Sequence, residues 1–598
     1  MERSYPRWFW LLAAATLFLT ATPYLLALAI QPVGTLYLGV HSNYDDHAVY
    51  AAWMKQAQEG RFFFENLLTT DPQPGLTVNL YFWATGTLSR LTGISLAMHL
   101  AKAVFGLLFL MSLYGLARRL SESQLVRFTA MATTILGAGV GWLVWRRYGH
   151  EGPIDVWQPE ALTFPSLMQN GLFCAALWLI CVIWNKILDA RDSWKPVLPG
   201  FLAMFVLTNI HTYDTLTIAI VAAGFLATQI GAKQATGAWV GRAVTIASGA
   251  IPPLLWFLYV RANDPVFAQR GETPTLSAPL ANVLLGYGPL LSLALVACWH
   301  WRAGPRERNL YIGAPICLVA MLHLFLRLES GAVAPNQLLI PLAWISLALT
   351  FVAVLGAYPT DRPIRGLISA WVLMGLAALY YPGLFQRKLA MGLSIPIGLC
   401  AGWAIGTLTG RLKGRERVLA AAVMIAAVSI SSAGWLYREA MMAVDNISNT
   451  TVQSVFWEKD VSRILSYLQA SEAREDAVLA MPGLPISTRP DSFAVAIPDL
   501  NPVLSGWAGV KSWAGHWSET PDYVGRRRDL SIGLYSQGST PESARALIEM
   551  SKATFIVAPK GEPADLLGVQ GLAFFGQLGR IVYEGDRYIL IEVSDPAP

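Results

Sequence analysis

The chain runs to 598 residues, 54% of them hydrophobic and 14% charged, with 22 tryptophans and a formal net charge of +5. A soluble domain carries about a quarter charged residues, so this balance excludes an ordinary globular protein and points to an integral membrane protein. Arg and Lys gather between apolar runs rather than along an aromatic-interleaved stripe, which argues against a nucleic-acid partner, and Cys174, Cys181, Cys298, Cys317 and Cys400 all fall in apolar segments without CxxC spacing, so neither a disulfide framework nor a zinc site is indicated.

In chain order, the first apolar run, from Trp8 to about Ile30, is longer than a signal-peptide core and reads as an uncleaved anchor. Windows of about 20 apolar residues then predict spans near 98–117, 128–145, 166–184, 198–212, 214–231, 243–260, 281–301, 310–326, 336–357, 366–381, 389–408 and 418–437, roughly thirteen crossings in all. The pair 198–212 and 214–231 is short and separated by Tyr213, which suggests helices meeting within the membrane or a re-entrant pair.

An N-terminus inside puts Arg118, Arg119 and Arg127, Lys186, Arg191 and Lys195, Arg302, Arg306 and Arg308, and Arg411, Lys413, Arg415 and Arg417 on the cytoplasmic side, as the positive-inside rule requires. An odd number of spans then places both the loop 31–97 and the tail beyond about 440 outside the cytoplasm. Two amphipathic stretches in the loop, DHAVYAAWMKQAQEG and LTVNLYFWATGTLSRL, predict helices on the membrane surface, with Trp53, Tyr81, Phe82 and Trp83 suited to the headgroup layer. Residues 450–598 turn to a soluble pattern: helices near 458–471 and 540–551, and strands at DAVLAM, ATFIVAP and GRIVYEGDRYILIEV, a small α/β or α+β domain. The organisation expected is a transmembrane domain over 1–440 and a soluble α/β domain over 450–598, without internal repeats.

Asp45 and Asp46 stand just beyond the first span. A carboxylate at the membrane face can take a proton from an acceptor hydroxyl while a lipid-borne donor lies in the bilayer. It can equally open a helix, whose first turn welcomes negative charge. Arg387 and Lys388, in YYPGLFQRKLAMGLSIPIG, sit at an expected outer face, where they could grip a phosphate or simply snorkel at a helix end. In the tail, WAGVKSWAGHWSETPDYVGRRRDL carries His516, Trp517, Glu519 and Thr520; Trp507, Trp513 and Trp517 offer faces for a sugar, or the turn is a structural loop. Arg526, Arg527 and Arg528 suit anionic headgroups or acids of the first loop.

His211 and Asp214 in NIHTYDTL, and Glu160 and Gln169 in VWQPEALTFPSLMQN, are polar groups at expected membrane depth and so functional suspects. His211 and Asp214 either line a cavity or cap the break between two short helices. Asn446 and Asn449 head sequons, triplets that are common by chance and mean little by themselves. No Walker A loop, GxSxG elbow or HExxH motif occurs, which argues against an ATP-driven pump or a zinc protease.

Three of these stretches resemble the GT-C glycosyltransferase superfamily, polytopic enzymes that use polyprenyl-phosphate sugars and carry an acidic motif in the first extracytoplasmic loop. Protein O-mannosyltransferases and aminoarabinose transferases place an Asp-Glu pair there, and the latter follow it with Tyr; Asp46, four residues before Tyr50, best matches the family base. His47 stands where Glu is expected, which moves the second acidic role to Asp45 or leaves it unfilled. The segment 380–398 and the GHW.ET..Y..R pattern of the tail are similar to segments of bacterial GT-C-like membrane proteins.

The resemblance implies a polytopic α-helical GT-C-like fold with a small C-terminal extracytoplasmic α/β domain, in a bacterial cytoplasmic membrane. It implies an inverting glycosyltransferase, hexosyl or pentosyl, that moves a sugar from a polyprenyl-phosphate donor to a lipid, glycan or protein hydroxyl. Asp46, helped by Asp45, would be the base; Arg387 and Lys388 would hold the donor phosphate. Tyr50, His211, Asp214, Glu160, His516, Trp517 and Glu519 would line the cavity or acceptor site. A divalent cation, Mg or Mn, on Asp45 and Asp46 is left open. A transporter or flippase of lipid-linked saccharides, or a noncatalytic binding protein, is the competing reading; a transporter would favour broken helices in both halves, and the sequence shows one candidate break, near Tyr213.

Overall fold

The computed structural model describes residues 5–144, 152–301, 362–447, 455–470, 477–485 and 496–594; the spans expected at 310–326 and 336–357, and the sequon at Asn449, lie outside them. Among the described residues seven helices are long and apolar enough to cross a membrane: Arg7–Ile30, Ile94–Leu120, Gly171–Asp189, Tyr213–Gly231, Gly237–Asn263, Leu280–Cys298 and Gln386–Thr409. Gly414–Ala427 and Ile430–Ile447, bent by 58° at a short break, make an eighth if they count as one span. By these helices the protein is a multi-pass membrane protein. Where spans 128–145 and 166–184 were expected, the chain is interrupted: one helix stops at Leu136, ahead of Gly137, and Thr163–Gln169 ends at Asn170, whose side chain caps Gly171–Asp189. Val197–Ile210 and Tyr213–Gly231 are separate helices that meet at His211 and Thr212.

The chain divides into two compact units. One comprises residues 1–21, 101–255 and 274–437, the other residues 22–100, 256–273 and 438–598. In the first, Ser394–Thr409 packs on Gln124–Leu136 through a row of glycines spaced four apart. A Cβ at Gly398 would lie 2.4 Å from Thr134 Cα, at Gly402 2.4 Å from Ala130 Cα, and at Gly406 2.8 Å from Val126 Cα. Small residues in this spacing let two backbones approach closely, which is how helices gain packing energy where lipid supplies no hydrophobic drive. Thr129 Oγ1 donates to Gly402 O at 2.6 Å and seals the contact.

The second unit is built on a five-stranded sheet in the order Lys511–Ser512, Ala477–Ala480, Ala553–Pro559, Tyr588–Val593, Gly579–Glu584. The first three strands are parallel neighbours and the last two antiparallel, so the sheet is mixed. Leu479, Ile556, Ile589 and Ile591 meet Leu530, Leu534 and Leu547 in its core. The Tyr535 hydroxyl donates to Leu479 O at 3.0 Å and to Val557 O at 2.9 Å. Loop residues join this unit directly: Leu36–Tyr37 pairs antiparallel with Phe456–Trp457.

Both loop helices form, as Tyr44–Gln58 and Leu80–Thr92. Trp53, Tyr81 and Phe82, expected in the headgroup layer, are instead buried. The reason is packing on both sides: a Cβ at Gly86 would lie 2.5 Å from Met54 O, and one at Gly506 of the tail 2.8 Å from Ala48 O. The Tyr44–Gln58 helix is therefore a core element, and Trp53 is a core residue. Asn446, at the head of a sequon, is buried, and its side chain accepts from the backbone N–H groups of Val455 and Phe456 at 3.1 and 2.6 Å.

Candidate functional site

The aspartate pair is delivered by the start of the Tyr44–Gln58 helix. Asn43 at the N-cap adopts a left-handed conformation with φ 54°, and its side chain makes no capping hydrogen bond. Asp45 and Asp46 thus sit in the first turn, where the exposed N–H groups favour negative charge. The turn is anchored from below by buried polar groups. Glu439 accepts from Ser42 Oγ at 2.7 Å and pairs with Arg438 at 3.1 Å; its carbonyl meets His41 Nδ1 at 2.9 Å, while His41 Nε2 meets the Tyr37 hydroxyl at 2.9 Å. His47 is buried with its Nδ1 2.9 Å from Asn43 O, so it contributes to the turn and not to an exposed acidic pair.

The tail brings His516 onto the aspartates. Its Nε2 lies 3.5 Å from Asp45 Oδ2 and 3.4 Å from Asp46 Oδ1; the imidazole is 1% exposed, the carboxylates 37% and 44%. These are ion-pair distances rather than straight hydrogen bonds. Burial alone would lower the imidazole pKa, but contact with the two aspartates outweighs it and raises the value to about 9. His516 is therefore a cation at neutral pH. Its Nδ1 lies 3.2 Å from the Ser518 backbone N–H, which is directed at it, and 3.1 Å from the Ser518 hydroxyl.

The turn bearing His516 is knotted onto the first loop. Thr520 Oγ1 donates to Leu68 O and accepts from the N–H groups of Gly515 and His516 at 3.0 Å each. A Cβ at Gly515 would meet Leu68 Cα at 2.7 Å, so glycine alone fits there. Asn66 Nδ2 donates to Glu519 O at 2.7 Å. On the same turn Glu519, 5% exposed, pairs at 2.8 Å with Arg270, whose guanidinium lies 5.5 Å from the centroid of the Trp53 ring. Trp517 is exposed beside His516, whereas Trp507 and Trp513 are buried, so of the three tryptophans Trp517 presents a face. Tyr50 stacks on Phe82 with centroids 5.2 Å apart. Arg526 takes Asp71, an acid of the first loop, in two contacts of 2.8 and 2.7 Å.

Arg387 and Lys388 belong to the other unit, on a 3-10 turn Gln386–Ala390. Arg387 Nε lies 3.3 Å from Glu160 Oε1, its guanidinium 5.5 Å from the Trp157 ring centroid. Its N–H donates to Thr275 O at 2.9 Å and its carbonyl accepts from Gln158 Nε2 at 3.1 Å. Glu160 and Arg387, two separate suspects in the sequence, are thus partners. In the same unit His211 Nδ1 and Asp214 Oδ2 approach to 3.0 Å across the helix break, with Asp214 fully buried. They pair with each other, the arrangement expected of groups that cap a break.

Several polar groups here carried no readable sequence signal. Arg270 closes the short Pro265–Arg270 helix in a polar stretch after a span, and Glu439 is a single acid within the Ile430–Ile447 helix. Asp155, buried where its carboxylate accepts from Ser431 Oγ at 2.6 Å and Gly141 N–H at 2.9 Å, is separated from these partners by many residues. Among the described residues no group of three or more His, Cys, Asp or Glu side chains is placed to hold a metal ion.

No family model and no curated protein matches the chain. Several solved structures do. The Archaeoglobus fulgidus oligosaccharyltransferase tethered to an acceptor peptide with an NVT sequon is 12% identical, over 91% of this chain and 69% of that one, with a TM-score of 0.44. The oligosaccharyltransferase AglB of the same organism, in complex with an inhibitory peptide and a dolichol-phosphate, gives 12%, the same coverage and 0.43. ArnT from Cupriavidus metallidurans bound to undecaprenyl phosphate gives 13%, 98% and 97% coverage, and 0.40. All three scores lie below one half, and the case for function rests on the residues.

Proposed function

We propose that this protein is a GT-C-type glycosyltransferase that moves a sugar from a polyprenyl-phosphate donor to a hydroxyl acceptor on the extracytoplasmic face of a bacterial cytoplasmic membrane. The observation that carries the reading is the seating of His516 against Asp45 and Asp46 at 3.4–3.5 Å, which joins two of the three GT-C-like stretches in one cluster. Asp155, Asp214 and Glu439 are buried among protein groups, whereas this pair keeps a solvent-facing side on which a substrate hydroxyl can stand.

The imidazole, seated against both carboxylates, fixes their orientation. Asp46, helped by Asp45, then accepts the proton of the acceptor hydroxyl as its oxygen bonds to the anomeric carbon. The bond from that carbon to the phosphate oxygen breaks, its electron pair leaves on the polyprenyl phosphate, and a single displacement inverts the anomeric centre. Arg387 as a fork and Lys388 as a point charge would stabilise the departing phosphate, with Glu160 and Trp157 holding the guanidinium beforehand. Trp517 and Tyr50 would contact the acceptor or sugar. A divalent ion, if the reaction needs one, would take Asp45 and Asp46 and compete with protonated His516, so chelator followed by Mg or Mn would change the rate.

The transporter reading gains some support from the structure, which adds breaks at Asn170, at Gly288 and between Ala427 and Ile430 to that near Tyr213. One experiment separates the two. Purified wild type, Asp46→Asn, Asp45→Asn, His516→Gln and Arg387→Ala are assayed for transfer of radiolabelled sugar from extracted polyprenyl phosphates, with donor binding measured in parallel. The enzyme reading expects Asp46→Asn to bind donor and lose at least about 100-fold in transfer, and Arg387→Ala to weaken binding. Wild type that binds donor yet transfers to none of a varied acceptor set puts the transporter or binding-protein reading first.

A further inference from the structure

The Leu80–Thr92 helix is apolar on the side that faces away from the protein. It buries Tyr81, Phe82, Thr85, Gly86 and Ser89 and exposes Trp83, Ala84, Thr87, Leu88 and Leu91, the last to 88%, with Arg90 as the one exposed charge. A water-facing surface helix shows the opposite pattern, with its outer side charged. The polar groups on this helix are turned inward on themselves. Thr87 Oγ1 donates to Trp83 O at 2.7 Å, and Thr92 Oγ1 reaches Gly93 O at 3.1 Å and Leu88 O at 3.4 Å. Arg90 turns back, Nε to Gln58 O at 2.8 Å and Nη2 to Ala57 O at 3.4 Å, closing the end of the neighbouring helix. Hydroxyls satisfied by the preceding turn are what a lipid environment requires.

The patch continues into neighbouring aromatic residues. Phe62 lies 5.8 Å from Trp83 and 5.5 Å from Phe63, and Phe63 lies 6.0 Å from Trp256, all four rings exposed. Trp256 and Tyr259 belong to Gly237–Asn263, and the exposed Leu96 and Leu100 to Ile94–Leu120, both helices long and apolar enough to span. Trp256 directs its Nε1–H to Leu76 O at 3.2 Å, an apolar ring with a satisfied polar tip, as at a membrane interface.

We infer that this face, Trp83, Leu88 and Leu91 with Phe62, Phe63 and Trp256, binds the headgroup–acyl boundary of the bilayer, and that one loop helix rather than two rests on lipid. Continuity with two candidate spans selects lipid over a protein partner, since helices long and apolar enough to cross a membrane carry the patch onward through exposed Leu96, Leu100 and Tyr259. The Tyr44–Gln58 helix then rides on the far side of the lipid-seated helix. The close approach at Gly86 sets their separation at about 8 Å. The aspartates would thus be carried about one helix diameter above the boundary.

The test uses the full chain in lipid nanodiscs, labelled with bimane at Leu91→Cys, Thr87→Cys or Phe62→Cys. Val524→Cys, on the exposed Tyr523–Gly533 helix, serves as the aqueous control. The described native cysteines are buried and label slowly. Shallow nitroxide lipid is expected to quench the Leu91, Thr87 and Phe62 labels several-fold more than aqueous iodide, and the Val524 label in the reverse order. Iodide-dominated quenching at both Leu91 and Thr87 overturns the inference. So does protection from both quenchers with cross-linking between copies, which would make the face a protein interface. Neither outcome depends on glycosyl transfer.

Discussion

At the residue scale, the cluster turns on a buried imidazole whose charge is set by its neighbours. Because the folded pKa of His516 is raised to about 9 above the ordinary 6.5, its contribution to stability is complete below about pH 6.5. It is lost as the pH rises through about 9. The shift corresponds to about 3 kcal/mol at most. Thermal unfolding followed between pH 6.5 and 10 should show the wild-type midpoint falling across this window and the His516→Gln variant falling less; parallel curves would deny the imidazolium that role. Asp45, Asp46 and His516 were each legible as suspects, the first two by position and the third by its Gly-His-Trp setting. Their contact was not legible, because it joins residues more than four hundred positions apart. Trp507 and Trp513 misled for the related reason that an aromatic in a tail reads alike whether it faces a sugar or a core.

At the scale of elements, periodicity found the tail helices Lys459–Ala470 and Pro541–Ser551 and four of the five strands of its sheet but not the Tyr523–Gly533 helix, and hydropathy found most apolar segments. What it missed is where backbones touch. Gly402 looks in sequence like any glycine in an apolar helix, yet its missing Cβ is what admits Ala130. Gly402→Leu should therefore abolish a monodisperse folded peak on size exclusion. Gly241→Ala, where nothing lies within 4 Å of the added carbon, should be tolerated or gain up to about 1 kcal/mol. Equal behaviour of the two variants would mean the glycine row is incidental. The loop helices make the same point about faces: both were expected on the membrane, but the Tyr44–Gln58 helix is enclosed by Gly86 on one side and Gly506 on the other.

For the whole molecule, one compact unit is assembled from three separated stretches of chain, 22–100, 256–273 and 438–598. The tail's sheet has its own core, but the Phe456–Trp457 strand and the Leu504–Ala508 turn are completed by the first loop. Residues 450–598 expressed alone should thus keep strand and helix signal by circular dichroism yet aggregate and be cut rapidly by protease; a soluble, protease-resistant tail would show that the loop adds little. The sequence by itself determined that this is a multi-pass membrane protein with an α/β tail, because hydropathy and alternation are properties of neighbouring residues. It also marked the acids, bases and tryptophans worth testing. The tertiary structure alone decided that His516 meets the aspartate pair, that Glu160 meets Arg387 and that Glu519 meets Arg270. Ion pairs between remote residues depend on how the chain closes in space, and one-dimensional spacing does not encode that closure.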